Sequence, residues 1–151
     1  VRVAVRCVCL LAPPSMPRTH VHDVTVYYED TDFSGVVYYG KYLRYFEQGR
    51  DHFFGMTDLV EAWHRTGIGF AVYKADLTYK EGARFGDLLE VRTTVTPESD
   101  YRILCDQQVW KKGGTQWMVR GLIQMVCTDR DNKLVKLPDW VMDHVRARLA
   151  D

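Results

Sequence analysis

The segment Asp30-Thr31-Asp32-Phe33-Ser34-Gly35 gathers two carboxylates and two hydroxyls into six residues, and two kinds of chemistry could use them. One is cation binding, because the run matches the opening of a calcium loop, D-x-D-x-S-G. An EF-hand loop also requires a bidentate Glu at its twelfth position. Counted from Asp30 that position is Lys41, a cation, and the residues before the loop alternate like a strand. The calcium reading fails. His22, His52, His64 and His144 share no metal-ligand spacing, and Cys7, Cys9, Cys105 and Cys127 form no C-x-x-C pair, so no metal or cofactor is expected. The other chemistry is acyl transfer. Asp32 lies a few residues before a helix that begins near Tyr39. The first amides of a helix lack internal partners, and the helix dipole adds partial positive charge there. Such an end can bind an oxyanion forming on an acyl carbonyl, while a nearby carboxylate serves as general base or nucleophile. Gly35 and Gly40 would allow close backbone approach. On spacing alone, an Asx-turn or a helix cap accounts for Asp30 and Asp32 better than catalysis does.

The elements that must position this loop follow from periodicity. His22 to Tyr28 alternates, with Val24, Val26 and Tyr28 on one face, and reads as a strand. Tyr42, Tyr45, Phe46, Gly49 and Phe53 then fall at helical spacing, giving one strongly aromatic stripe, and Gly55 closes that helix. Thr57 is placed to cap a second, short helix carrying Leu59, Val60 and Trp63 and ended by Gly67. Phe70–Tyr79, Leu88–Thr96, Ile103–Trp110 and Trp117–Thr128 read as strands. Pro97 to Asp100 and Lys112-Gly113-Gly114 supply short turns, so the strands they join run antiparallel. After Pro138, the residues Val141, His144, Val145 and Leu149 mark a terminal helix. The class is α+β, a five-stranded antiparallel sheet offering a face to the aromatic helix.

Composition narrows the function. The 151 residues suit one domain. Lys+Arg and Asp+Glu are 20 each, which argues against a chain that holds nucleic acid through its overall field. No segment approaches the roughly 20 apolar residues of a membrane span. Residues 1–19 differ in character: Arg2 and Arg6 precede a short apolar run, and Pro13-Pro14 stands where a signal peptide would carry small residues. They are read as a poorly ordered extension, with the domain over residues 20–151. Cys105 and Cys127 sit in apolar strand-like runs as small buried hydrophobes, which fits a reducing, cytoplasmic setting. The unusual item is tyrosine, with six of nine between Tyr27 and Tyr45.

The run from Val26 through the Asp30–Gly35 loop to Glu47 (VYYEDTDFSGVVYYGKYLRYFE) strongly resembles the hotdog-fold acyl-CoA thioesterases. Within them it is similar to the 4-hydroxybenzoyl-CoA thioesterase group and to the thioesterases associated with the Tol-Pal operon. The likeness continues more weakly through Asp76-Leu77-Thr78-Tyr79 and Ala83-Arg84-Phe85-Gly86-Asp87 to about Trp140. It implies a sheet wrapped around the long helix and hydrolysis of an acyl-CoA, aromatic or short to medium in chain, to free acid and CoA. It also implies that Asp32 is the catalytic carboxylate and that the Tyr39 backbone amide binds the thioester oxygen. The Tol-Pal branch usually carries His after the residue matching Tyr38; this chain has Tyr39 there, as the hydroxybenzoyl branch does, which leaves Asp32 as the main group. Tyr38 either orients the loop or lines the acyl site, and is as readily a core residue; Gly40, open to close backbone approach, is placed with the substrate. Tyr79, Phe54 and Trp117 are candidate pocket walls. Lys80 with Arg84 is the cation cluster expected to meet the CoA phosphates, and Lys111-Lys112 reads as a solubility feature of a hairpin tip. Glu47 is expected to pair with Arg44 or Arg50. The resemblance further implies a homo-oligomer, dimer or tetramer, with sites between subunits. A non-catalytic acyl-CoA or acyl-carrier binding module of the same fold is the competing reading. Hotdog dehydratase chemistry is disfavoured, because the catalytic loop and early helix lack the His it uses.

Overall fold

In a computed structural model, which describes residues 18–148, the first strand β1 spans His20–Thr25. The long helix α1 spans Lys41–Phe54, and the short helix α2 spans Met56–Thr66. Four strands follow: β2 (Gly69–Tyr79), β3 (Leu88–Pro97), β4 (Arg102–Lys111) and β5 (Trp117–Thr128). A two-residue strand β6 (Leu134–Val135) and helix α3 (Asp139–Ala147) complete the chain. Apart from Arg18 and Thr19, the expected N-terminal extension lies outside the described residues, as do Cys7, Cys9 and Leu149.

The sheet is antiparallel, in the order β1-β3-β4-β5-β2. The fold class is as expected, α+β, with β6 as a sixth strand that pairs Val135 with Cys127 beyond the end of β4. Along β3, β4 and β5 burial alternates almost residue by residue, so one face of the sheet is dry and the other wet. The dry face covers α1, whose stripe of Tyr42, Tyr45, Phe46, Gly49 and Phe53 is buried. Cys105 and Cys127 are buried free thiols, each pushed up to about 12 by burial. Among the described residues no helix is long and apolar enough to cross a membrane.

Three element ends differ from the sequence reading. β1 starts earlier and stops at Thr25, because the chain turns there: the Val26 amide bonds the Asp87 carbonyl (3.0 Å), and Tyr28–Asp30 forms a 3-10 turn. Val24 and Val26 are buried as expected, but Tyr28 is 79% exposed. α1 begins at Lys41, since the Lys41 amide first closes a turn onto the Tyr38 carbonyl (2.8 Å). α2 starts one residue before Thr57, with Gly55 (φ 89°) before it, and Thr57 does not cap it.

Two glycines let helix and sheet approach. A Cβ on Gly49 of α1 would lie 2.7 Å from Val91 Cγ1, and one on Gly121 of β5 would lie 2.7 Å from the Phe46 ring. Between them sits a buried polar bridge. Gln107 of β4 donates to the Phe46 carbonyl and to Thr93 Oγ1 (both 2.8 Å), and accepts from Arg50 Nη1 (2.9 Å). These bonds satisfy polar groups that would otherwise cost about 1–3 kcal/mol each when buried.

The connection from β2 to β3 (residues 80–87) must cross the end of the sheet, because β2 lies at the far edge while β3 sits between β1 and β4. It passes against the loop before α1: the Val37 amide bonds the Ala83 carbonyl (2.8 Å), Val36 bridges Arg84, and the Ala83 amide donates to Tyr42 Oη (3.0 Å).

Ala at position 49 has the better helix propensity by about 1 kcal/mol. Gly49→Ala is nevertheless expected to destabilise the chain by about 1–3 kcal/mol, the usual cost of overpacking against stiff buried neighbours such as Val91. Urea denaturation measures this; a net gain in stability would show that α1 does not press on β3 as described.

Candidate active site

The loop before α1 is held by Asp30 and presents Asp32. Asp30 is 5% exposed. Its carboxylate pairs with the Lys41 ammonium (2.8 Å) and accepts from the Tyr27 amide (2.8 Å), and its backbone carbonyl accepts from the Tyr38 amide (2.9 Å). Burial pushes its pKa up, but the Lys41 and Tyr27 interactions outweigh that and hold it below the usual carboxylate value. Tyr45 lies beside it, and burial raises its phenol far above the ordinary range. Asp30 is therefore the anchor of the loop.

Asp32 is exposed. Its Oδ1 accepts from the Ser34 hydroxyl (2.5 Å) and the Ser34 amide (2.8 Å), an Asx-type turn closed by the Asp32 amide on the Val36 carbonyl (2.9 Å) and the Gly35 amide on the Asp32 carbonyl (3.0 Å). Gly35 takes φ 79°, a left-handed conformation that favours glycine. The Ser34 hydroxyl and then its amide favour the ionised form and lower the Asp32 pKa, so the group is a carboxylate at neutral pH. Asp32 thus forms the expected Asx-type turn through one oxygen.

A groove of about 280 Å³ opens in front of this carboxylate, lined by Asp32, Val36, Tyr39, Tyr42, Tyr79 and Lys80 among others. At its helix end, α1 has no side-chain cap. The amides of Tyr38 and Lys41 are bonded to Asp30 and Tyr38 carbonyls, and among the described residues no backbone carbonyl accepts from the Tyr39 or Gly40 amide. The arrangement thus sets an ionised carboxylate and the Tyr39 residue, whose amide no backbone carbonyl among the described residues takes, at one groove, with the Gly40 amide next in the chain.

Of the residues singled out from sequence, Asp32, Tyr39, Tyr79 and Lys80 come together here. Gly40 stands at the helix start, where its missing Cβ leaves room for the Tyr38 ring, 3.0 Å from the position a Cβ would take. Tyr38 is 47% exposed, against the Tyr39 ring (4.6 Å between centroids), and is not a core residue. Lys80 stacks its ammonium over Trp117 (3.8 Å). Arg84 is not a wall of the groove; its backbone bridges Val36, and its guanidinium lies near Gly35. Phe54 faces a separate cavity of about 270 Å³ with Trp63, Phe70 and Trp140. Glu47 lines that cavity too, and among the described residues it makes no salt bridge with Arg44 or Arg50. Lys111 and Lys112 pair with Asp87 and Asp23, so they brace the strand ends rather than serving solubility alone. Ser34, which bonds Asp32, and Tyr42, which lines the groove, are the side chains here that were not singled out from sequence as site residues. The D-x-S spacing signals the first, whereas the helical stripe that contains Tyr42 reads simply as core.

Residues 26–145 match the thioesterase-like superfamily. The chain is 31% identical over 108 residues to the acyl-CoA thioesterase YbgC of Haemophilus influenzae, covering 70% of this chain and 78% of that protein. It is 28% identical over 112 residues to a 1,4-dihydroxy-2-naphthoyl-CoA hydrolase of Synechocystis, covering 72% and 80%. A probable thioesterase from Bartonella henselae, 27% identical, superimposes with a TM-score of 0.73 over 80% of this chain and 100% of that one. With its antiparallel sheet closed around one long helix, the chain has the hotdog fold and belongs to the thioesterase-like superfamily.

Proposed function

We propose that this chain hydrolyses an acyl-CoA thioester to a free acid and CoA, with Asp32 as the reacting carboxylate and the Tyr39 amide as the oxyanion donor. The observation that carries the reading is the pairing, on one groove, of an ionised Asp32, one oxygen tied to Ser34, with Tyr39, whose amide has no backbone acceptor among the described residues. In the nucleophilic version, the free Asp32 oxygen adds to the thioester carbonyl carbon and the carbonyl oxygen takes the negative charge. The C–S bond then breaks, CoA leaves as a thiolate, and a mixed anhydride remains on Asp32. Water adds to the anhydride, releasing the acid and restoring the carboxylate. In the general-base version, Asp32 takes a proton from water as the oxygen of that water adds to the carbonyl, and the proton passes to the departing sulfur. Both versions place negative charge on the same oxygen, where the amides and the positive end of the α1 dipole oppose it.

Tyr38, Tyr39, Tyr42 and Tyr79 supply aromatic surface for the acyl or pantetheine portion, and the acyl group is aromatic or short to medium in chain. Lys80 and Arg84 are the cations we assign to the CoA phosphates; the supporting facts are their place on the residue 80–87 connection, with Lys80 at the groove, and the zero net charge, which leaves phosphate binding to placed groups. A homo-oligomer, dimer or tetramer, is supported by the open edge of β2, where Val72 through Asp76 are exposed. The two buried free thiols are in keeping with a cytoplasmic setting.

Asp32→Asn keeps the shape of the side chain and removes its charge. Its kcat is expected to fall about 10²–10⁴-fold, the range for a positioned acid–base group, while affinity for a non-hydrolysable thioether analogue is unchanged. Turnover at the wild-type rate would remove Asp32 from the mechanism. Ser34→Ala deletes the strongest interaction that lowers the Asp32 pKa, so the carboxylate protonates at a higher pH than in the wild type. The acid limb of kcat/KM should therefore move toward neutral pH. An acid limb that stays in place would mean another group sets it.

A further inference from the structure

The backbone from Tyr38 to Lys41 is fixed bond by bond, with one exception. The Tyr38 amide is held by the Asp30 carbonyl, and the Tyr38 carbonyl is held by the Lys41 amide. Between them lies the Tyr39–Gly40 peptide, which has no helical partner on its N–H side among the described residues. Gly40 lacks a Cβ, so steric repulsion resists a rotation of that peptide less than it would at any other residue. A rotated peptide would reverse the Tyr39 carbonyl and the Gly40 N–H together, and so change the dipole that an oxyanion at the neighbouring Tyr39 amide meets.

One bond opposes that rotation: the Tyr79 hydroxyl donates to the Tyr39 carbonyl (3.1 Å). Tyr79 is well placed for it. As the last residue of β2 it pairs with Val119 of β5, so its backbone is part of the sheet. Its ring meets Tyr42 (5.9 Å, 69°) and Tyr39 (6.5 Å, 86°) edge on. Tyr42 is itself 2% exposed and tied to the Ala83 amide, which gives the Tyr79 ring a rigid neighbour. We propose that Tyr79 is a positioning residue for the oxyanion site: its hydroxyl locks the Tyr39–Gly40 peptide, so that the dipole beside the Tyr39 amide keeps its direction toward the thioester oxygen.

This rests on the hydrolysis proposed at Asp32, and the test separates the two. Tyr79→Phe keeps the ring and its packing and deletes only the hydroxyl. Its kcat should fall about tenfold, less than the roughly 10²–10³ cost of deleting an oxyanion donor outright, with KM unchanged. Two CoA ligands then distinguish positioning from packing. A trifluoromethyl ketone analogue, which becomes tetrahedral and carries the oxyanion, should bind about as much more weakly as kcat falls, as expected when an interaction acts in the transition state. A thioether analogue, which lacks the oxyanion, should bind as it does to the wild type. An unchanged kcat, or equal weakening of both ligands, would overturn the role of Tyr79 and leave it a groove wall. Wild-type protein that releases no thiol would instead reject the hydrolysis reading.

Discussion

A carboxylate that loses its water must recover that stabilisation from charge and hydrogen bonds, and Asp30 does so at the junction where the loop meets α1. Its ion pair with Lys41 and its bond to the Tyr27 amide join the 3-10 turn to the first turn of the helix. Because each partner lies on a different segment, satisfying this one buried group fixes the path of everything between Tyr27 and Lys41. Losing one partner would leave a buried charge uncompensated, which is far more costly than a missing surface ion pair. The Asp32 turn, the Gly35 reversal and the unpaired amides of Tyr39 and Gly40 all lie on the path so fixed. Asp30 and Asp32, two residues apart, differ in role because one is buried and neutralised by a cation while the other is exposed and held by a serine.

The sheet supplies the second constraint. β2 and β3 are not neighbours, so the chain between them must cross the sheet end, and it crosses against the Asp32 loop. That crossing brings Tyr79 and Lys80 to the groove from one side while α1 brings Tyr39 and Tyr42 from the other. The tyrosines crowded between Tyr27 and Tyr45 thus divide by position. Tyr42 and Tyr45 are core, Tyr39 is groove wall, and Tyr27 and Tyr28 are exposed around the turn.

Much of this was legible in the chain itself. Alternation in β3, β4 and β5 and the aromatic stripe of α1 report burial directly, and burial is what the sheet and helix obey. The D-x-D-x-S-G run marked the loop, and its resemblance to thioesterases marked Asp32. What stayed hidden depends on contacts between distant segments. Nothing local to Tyr28 reveals that pairing with β3 ends at Thr25 and turns its ring into solvent. Nothing near Lys111 and Lys112 announces Asp87 and Asp23 as partners. His22 and His52, read separately, stack at 4.0 Å once β1 lies beside α1. Tyr79 is forty residues from Tyr39 in sequence and one hydrogen bond from it in space.

The chemistry proposed for the carboxylate and amides at the start of α1 is to cleave a thioester rather than merely hold one. The most direct measurement is thiol release by the purified wild-type chain on a panel of acyl-CoAs, benzoyl and aliphatic side by side, with the free acid quantified in the same reactions. Catalytic turnover is expected on at least one member, with one acid formed for each thiol released. Saturable binding of the panel with no thiol release from any member would contradict it and mark the chain as a binding module of the same fold.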